Sequence, residues 1–165
     1  LPKDCIWYVS PLKRTTQTAK ALLKYVTAKE MIIEKKLKEQ NFGDWSGQNI
    51  SEIWQLLRTK KSQHNYSFIC PEVSPPNGEN FLTQLERVSI WLEELNFFKP
   101  QTAVIITHSG TIKGVIAHAL GVDPDKVIGI EISHLSLTSL EIFAKKEDKN
   151  RGGRFRILEI NNRAE

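Results

Sequence analysis

AVIITHSGTIKG, residues 103–114, runs four apolar residues into a polar turn and then into a helix-forming segment. Ala103 to Ile106 is a continuous apolar run, the pattern of a strand covered on both faces. From Gly110 to Leu120 the apolar residues Ile112, Val115, Ile116 and Ala119 fall at helical spacing, and Gly121 is suited to stop the helix. Thr107, His108 and Ser109 fill the turn. A second stretch has the same plan: Ile6 to Val9 reads as a strand, Ser10-Pro11-Leu12 as a turn, and Arg14 lies one turn into the helix that follows. In a parallel sheet both turns fall at the carboxyl edge, where open α/β folds bind ligands.

The rest of the chain fits this alternation. Ser10-Pro11 predicts an N-cap with a first-turn proline, and Ala19, Leu22, Leu23 and Val26 carry that helix to about Ala28. Met31 to Ile33 suits a short strand, and residues 35–48 read as loop. Asn49 to Glu52 resembles a capping box, with Ile50, Ile53, Trp54 and Leu57 as the apolar face behind it. Phe81, Leu85, Val88, Leu92 and Leu95 mark another helix. Leu135 to Phe143 and Phe155 to Ile160 read as strands, joined as a hairpin through the charged segment 145–154. The expectation is one α/β domain over residues 1–165: a mostly parallel sheet, helices on both faces and a C-terminal hairpin.

Composition narrows the function. With 165 residues, 40% of them hydrophobic, the chain can bury a real core. No apolar run approaches the ~20 residues of a membrane span, and the first residues do not form a signal peptide. Cys5 and Cys70 are too few for a disulfide framework, so a reducing cytoplasm is the default. The net charge is +4, with basic clusters at Lys35–Lys38, Arg58–Lys61 and Lys145–Arg156. They are scattered and mixed with acids, which argues against nucleic acid and fits solvated surfaces; a mild positive field also favours small anions.

Small anions fit the two turns. Helix N-termini offer free N–H groups and a positive dipole end to a phosphate. Arg14 adds a bidentate fork, and His108 can donate to the same anion. Between them, KLKEQNFGDWSG (residues 36–47) sets Glu39 near Phe42 and Trp45, aromatics that could screen its carboxyl and raise its pKa toward a proton donor's. An exposed carboxylate is the plainer reading. PPNGEN (residues 75–80) puts Glu79 before a helix, either as a pocket acid or as a dipole partner. His118 falls inside a helix and reads as structural.

Four segments in this order resemble the histidine phosphatase superfamily, the phosphoglycerate-mutase-like proteins. SPLKRTTQTA (10–19) is similar to that family's Ser-Pro-Leu-x-Arg-x-x-x-Thr-Ala, and LKEQNFGDWSG (37–47) to its Leu-x-Glu-x-x-x-Gly-x-Trp-x-Gly. PNGEN (76–80) resembles Pro-x-Gly-Glu-Ser with Asn80 for serine, and VIITHSG (104–110) the second-histidine motif with Ser109 where glycine is common. The resemblance implies that Arg14, His108 and Ser10 form a phosphate pocket and that Glu39 protonates the leaving group. It places Glu79 and Ser109 near that pocket, with no metal and no cofactor. It implies a phosphomonoesterase that works on a small phosphorylated metabolite through phosphohistidine; the alternatives are a phosphoglycerate-type mutase and a non-catalytic phospho-ligand binder. The lid over the leaving group is expected in residues 48–80, with Trp54, His64, Tyr66 and Phe68 as candidate contacts. The family's Arg-His-Gly motif, which carries the attacking histidine, does not occur in these 165 residues. The expectation is that a strand-helix unit of roughly 30 residues or more bears it ahead of Leu1 in the intact protein. Substrate and oligomeric state stay open.

Overall fold

The computed structural model describes residues 1–58, 64–95, 101–143 and 151–163. Strand β1 (Cys5–Val9) is the centre of a parallel sheet, flanked by β2 (Ala28–Ile33) and β3 (Ala103–Ile106). Side chains alternate across it. Cys5, Trp7, Val9, Val104 and Ile106 pack on one face with Ala19 of α1 (Lys13–Leu22). Tyr8 and Ile105 point to the other face, against Leu37, Val88, Trp91, Leu92 and Val115. That layer comes from α3 (Phe81–Glu94), which follows α2 (Ile50–Arg58), and from α4 (Ser109–Leu120). The fold is the expected α/β sheet with helices on both faces. Trp7, Leu92 and Ile116 are fully buried, each side chain contributing about 1.5–3 kcal/mol of transfer free energy.

After α4 comes a short helix, α5 (Pro124–Val127), which the sequence reading did not pick out. The hairpin follows as an antiparallel pair, β4 (Leu137–Ile142) and β5 (Phe155–Asn162). Leu135 takes φ 60°, outside strand geometry, so β4 begins later than expected. Of the connecting segment, residues 144–150 lie outside the described residues, as do Thr59 to Lys61 of the second basic cluster. Buried Arg154 pairs with Glu93 and donates to the Phe143 carbonyl, while Nε2 of His118 lies 2.9 Å from Glu93 Oε1. His118 thus joins α4 to α3 and the hairpin, the structural part its helical position suggested.

Three expectations change. The first helix ends at Leu22 rather than Ala28. Leu23, Lys24, Tyr25 and Val26 close it with short backbone turns, and Thr27 accepts from Asp4 N as the chain enters β2. Leu22, Leu23 and Val26 still pack on the core beneath α1, so their spacing records a buried face and not a continuous helix. Ser10 is not the cap: Leu12 occupies that position without a side-chain bond, and Ser10 is fully buried. The segment 35–48 is not plain loop, since it holds 3-10 turns at Lys35–Leu37 and Gly43–Trp45. Ile53 and Leu57 of α2 are buried beside Ile69, whereas Ile50 and Trp54 remain exposed.

Candidate active site

The carboxyl ends of β1 and β3 are tied together by the bond from Ser10 N to the Ile106 carbonyl (3.0 Å). Thr15 fixes the first turn, its hydroxyl within 2.8 Å of the Ser10 carbonyl and 2.7 Å of the Leu12 carbonyl. Those bonds leave the Ser10 hydroxyl facing His108, 2.8 Å from Nε2. Arg14 Nε donates to His108 Nδ1 at 3.1 Å. With Nδ1 accepting, the proton of neutral His108 sits on Nε2 and is donated to Ser10. The two Nη groups of exposed Arg14 make no hydrogen bond among the described residues, so its fork stays available to an anion.

His108 is the N-cap residue of α4 and is buried. Burial pushes its pKa down to about 4; Glu39 acts in the opposite sense, and Arg14 and Arg87 add to the depression. The imidazole is therefore neutral at pH 7. An incoming phosphate dianion would counter the two arginines and favour the imidazolium.

Glu39 reaches the same corner from the turn after Leu37. Thr107 and Thr111 hold that turn through the Leu37 carbonyl (2.8 and 3.4 Å), and Thr111 also reaches the Lys38 carbonyl (3.1 Å). Glu39 Oε2 lies 3.5 Å from Gly110 N, at the start of α4. A Cβ on Gly110 would sit 2.4 Å from Glu39 Oε1, so a side chain there would displace the Glu39 carboxylate. Ser109 is exposed, and its side chain makes no hydrogen bond among the described residues.

The aromatic screen expected over Glu39 does not form. Phe42 and Trp45 pack instead on the cluster of Ile53, Leu57 and Ile69, with Phe42 against Phe68 at 5.3 Å between ring centres. Glu39 is half-buried under polar neighbours. Glu79 is not aimed at His108. Its carboxylate takes Arg87 as a fork (3.2 and 2.8 Å) and accepts from Asn41 N at 3.0 Å. Arg87 continues to the carbonyls of Lys36, Lys38 and Glu39. Glu79, directly before the Asn80 cap of α3, thus braces the Glu39 turn through Arg87. Of the lid candidates, Trp54 and Tyr66 face solvent, His64 Nε2 lies 3.0 Å from the Asp125 carbonyl, and Phe68 is packed.

Sequence reasoning missed Gln84, Arg87 and the part played by Thr111. The signal was present: Gln84 and Thr111 are polar residues standing in the apolar stripes of their helices, and both are fully buried. Among the described residues no group of three or more His, Cys, Asp or Glu could hold a metal ion, and no helix is long and apolar enough to cross a membrane.

The chain is 29% identical over 138 residues to a 2,3-bisphosphoglycerate-dependent phosphoglycerate mutase of Bartonella tribocorum, covering 78% of this chain and 64% of that protein. It is 32% identical over 127 residues to phosphoserine phosphatase 1 of Hydrogenobacter thermophilus, covering 72% and 56%. The solved structure of Bacillus stearothermophilus YhfR superposes with a TM-score of 0.75 at 20% identity, over 99% of this chain and 76% of that one. The chain thus spans less than two thirds of the length of these curated relatives. The family model of the histidine phosphatase superfamily (branch 1) matches residues 1–153, and the chain belongs to that superfamily.

Proposed function

We propose that the whole protein is a metal-independent phosphomonoesterase that cleaves a small phosphorylated metabolite through a phosphohistidine intermediate. One observation carries the reading: the open fork of Arg14, the neutral buried His108 and the carboxyl of Glu39 converge at the ends of β1 and β3. In this reading the attacking histidine belongs to the family's Arg-His-Gly segment, which does not occur in these 165 residues. Its nitrogen bonds to phosphorus as the ester P–O bond breaks, and Glu39 gives its proton to the leaving oxygen. Water then attacks phosphorus, Glu39 takes its proton, and the P–N bond breaks to release inorganic phosphate. Arg14 holds the phosphoryl oxygens through its open Nη groups while charge develops. His108 joins it when the arriving phosphate favours the imidazolium, whose Nδ1–H then donates in place of the bond from Arg14. Buried Ser10 keeps Nε2 in place. Both cysteines are free, which suits a cytoplasmic setting.

The mutase relative favours a second reading, in which the phosphohistidine returns its phosphate to a bound product. A phosphate-release assay on the whole protein against a panel of phosphate monoesters decides between them. The expected result is release without added bisphosphate and an acid-labile phosphohistidine in quenched reactions. Phosphoglycerate isomerisation that requires 2,3-bisphosphoglycerate would establish the mutase. Phosphate binding without turnover would establish a non-catalytic binder.

A further inference from the structure

Gln84 stands where α3 passes beneath the Glu39 turn, with no exposed surface. Its Nε2 lies 3.0 Å from Glu39 Oε1, 3.2 Å from Thr111 Oγ1 and 3.4 Å from the Lys38 carbonyl. Its own Oε1 is buried and meets no hydrogen-bond partner among the described residues. A buried amide with a stranded acceptor is costly, and an apolar side chain of the same length would remove that cost. Turning the amide over would set its oxygen against Glu39 Oε1 and the Lys38 carbonyl, two acceptors. The observed orientation is thus the one that these two acceptors select together.

The two oxygens of Glu39 are treated differently. Oε1 receives Gln84 Nε2 at 3.0 Å and Gln40 N at 3.3 Å. Oε2 meets only Gly110 N among the described residues, at a long 3.5 Å, beside the start of α4. The other partners of Gln84 do not depend on it. The Lys38 carbonyl also accepts from Thr111 and Arg87, and Thr111 has those carbonyl bonds of its own.

We infer that Gln84 is a positioning residue for Glu39: it anchors Oε1 and leaves Oε2 as the oxygen that carries the proton to the leaving group. The first part rests on geometry, and the second rests on the phosphomonoesterase reading above. A glutamine that costs stability and serves one carboxylate oxygen is what a proton-transfer site needs and a core does not.

The test is Gln84→Met in the whole protein, read in three ways. Carbon-13 NMR of the Glu39 carboxyl at one fixed pH is expected to show a displaced resonance, since the donor to Oε1 is lost. The melting temperature is expected to hold or rise. Turnover of an alkyl phosphate is expected to fall by about tenfold or more, while p-nitrophenyl phosphate, whose leaving group needs little protonation, changes by less than about threefold. An unchanged Glu39 carboxyl resonance in the Met variant overturns the inference, whatever the activity. Equal losses on both esters overturn its second part. Should the Met variant fail to fold, Gln84→Asn decides: its shorter amide falls short of Oε1, so the same displaced resonance and the same split between the esters are expected, and a native resonance overturns the inference. Glu39→Gln is the control for the parent reading. If it retains full turnover of the alkyl phosphate, the proton-donor assignment fails, while the NMR result still decides the anchoring by Gln84.

Discussion

The two strand ends that look alike in sequence behave differently in the structure. At the end of β3 the functional side chain is itself the helix cap: His108 is 6% exposed, neutral and held on both nitrogens. At the end of β1 the turn is locked by Ser10 and Thr15, and Arg14 reaches from the first turn of α1 with its Nε bonded to His108 and both Nη groups open. One end is a fixed wall and the other an arm tied to it by one nitrogen. A phosphate that must enter and leave is served by that pairing, because the wall sets the position and the arm supplies charge on arrival.

Breaking the arm should give the largest effect. Arg14→Ala in the whole protein is expected to lower kcat/KM by about 10³-fold and to move stability by no more than about 0.5 kcal/mol. A steady-state assay beside a thermal melt checks both. Moving the carboxyl that faces the wall comes next. Gly110→Ala drives a Cβ into Glu39, and a loss of roughly 10²-fold in kcat is expected from the misplaced donor. Recovery of turnover toward the native value with p-nitrophenyl phosphate would mark the loss as one of proton transfer.

The wall itself is tested by pH. His108 titrates near 4 in the folded chain against 6.5 for a free histidine, so the unfolded chain binds the extra proton between those values. Stability is unaffected by this group above pH 6.5 and falls as pH drops toward 4, by up to about 3 kcal/mol. Urea melts across that range should show the loss, and His108→Gln should flatten it. Bound phosphate should flatten it too, by raising the histidine's pKa. The smallest effect belongs to Ser109→Gly, which restores the commoner motif at an exposed position. Activity is expected within about twofold and stability within about 0.5 kcal/mol of native; a larger change would show that Ser109 does take part in the pocket.

The sheet, both helical layers and the hairpin were legible because strand alternation and helical stripes encode burial directly. Arg14, His108, Ser10 and Glu39 could be singled out because each lies in a short stretch that resembles a motif of the family. What could not be read was which residues far apart in sequence serve the same turn. The link from Glu79 through Arg87 to three carbonyls joins residues 36–39 to residues 79–87, and no local period records it. The misplaced aromatics teach the same point. Phe42 and Trp45 are close to Glu39 along the chain, but burial against Ile53 and Ile69 outweighs proximity in sequence. The early end of α1 shows the reverse limit, since an apolar spacing of three and four satisfies a helix and a packed turn equally well.

Gly43 and Gly78 close the two loops on each other. A Cβ at Gly43, where φ is 48°, would lie 2.0 Å from the Pro76 carbonyl, and one at Gly78 would lie 2.4 Å from the Asn41 carbonyl. Asp44 N donates to Pro76, Glu79 N to Asn41 and the Asn77 amide to Asp44. Backbone lies on backbone with no side chain between, so neither loop can open while the other stays. Their amides should therefore exchange with solvent in a single cooperative step, a foldon assembled from two distant segments. The Glu39 turn would then be released only when the whole unit lets go, and its opening frequency would be set by residues outside the corner at the strand ends.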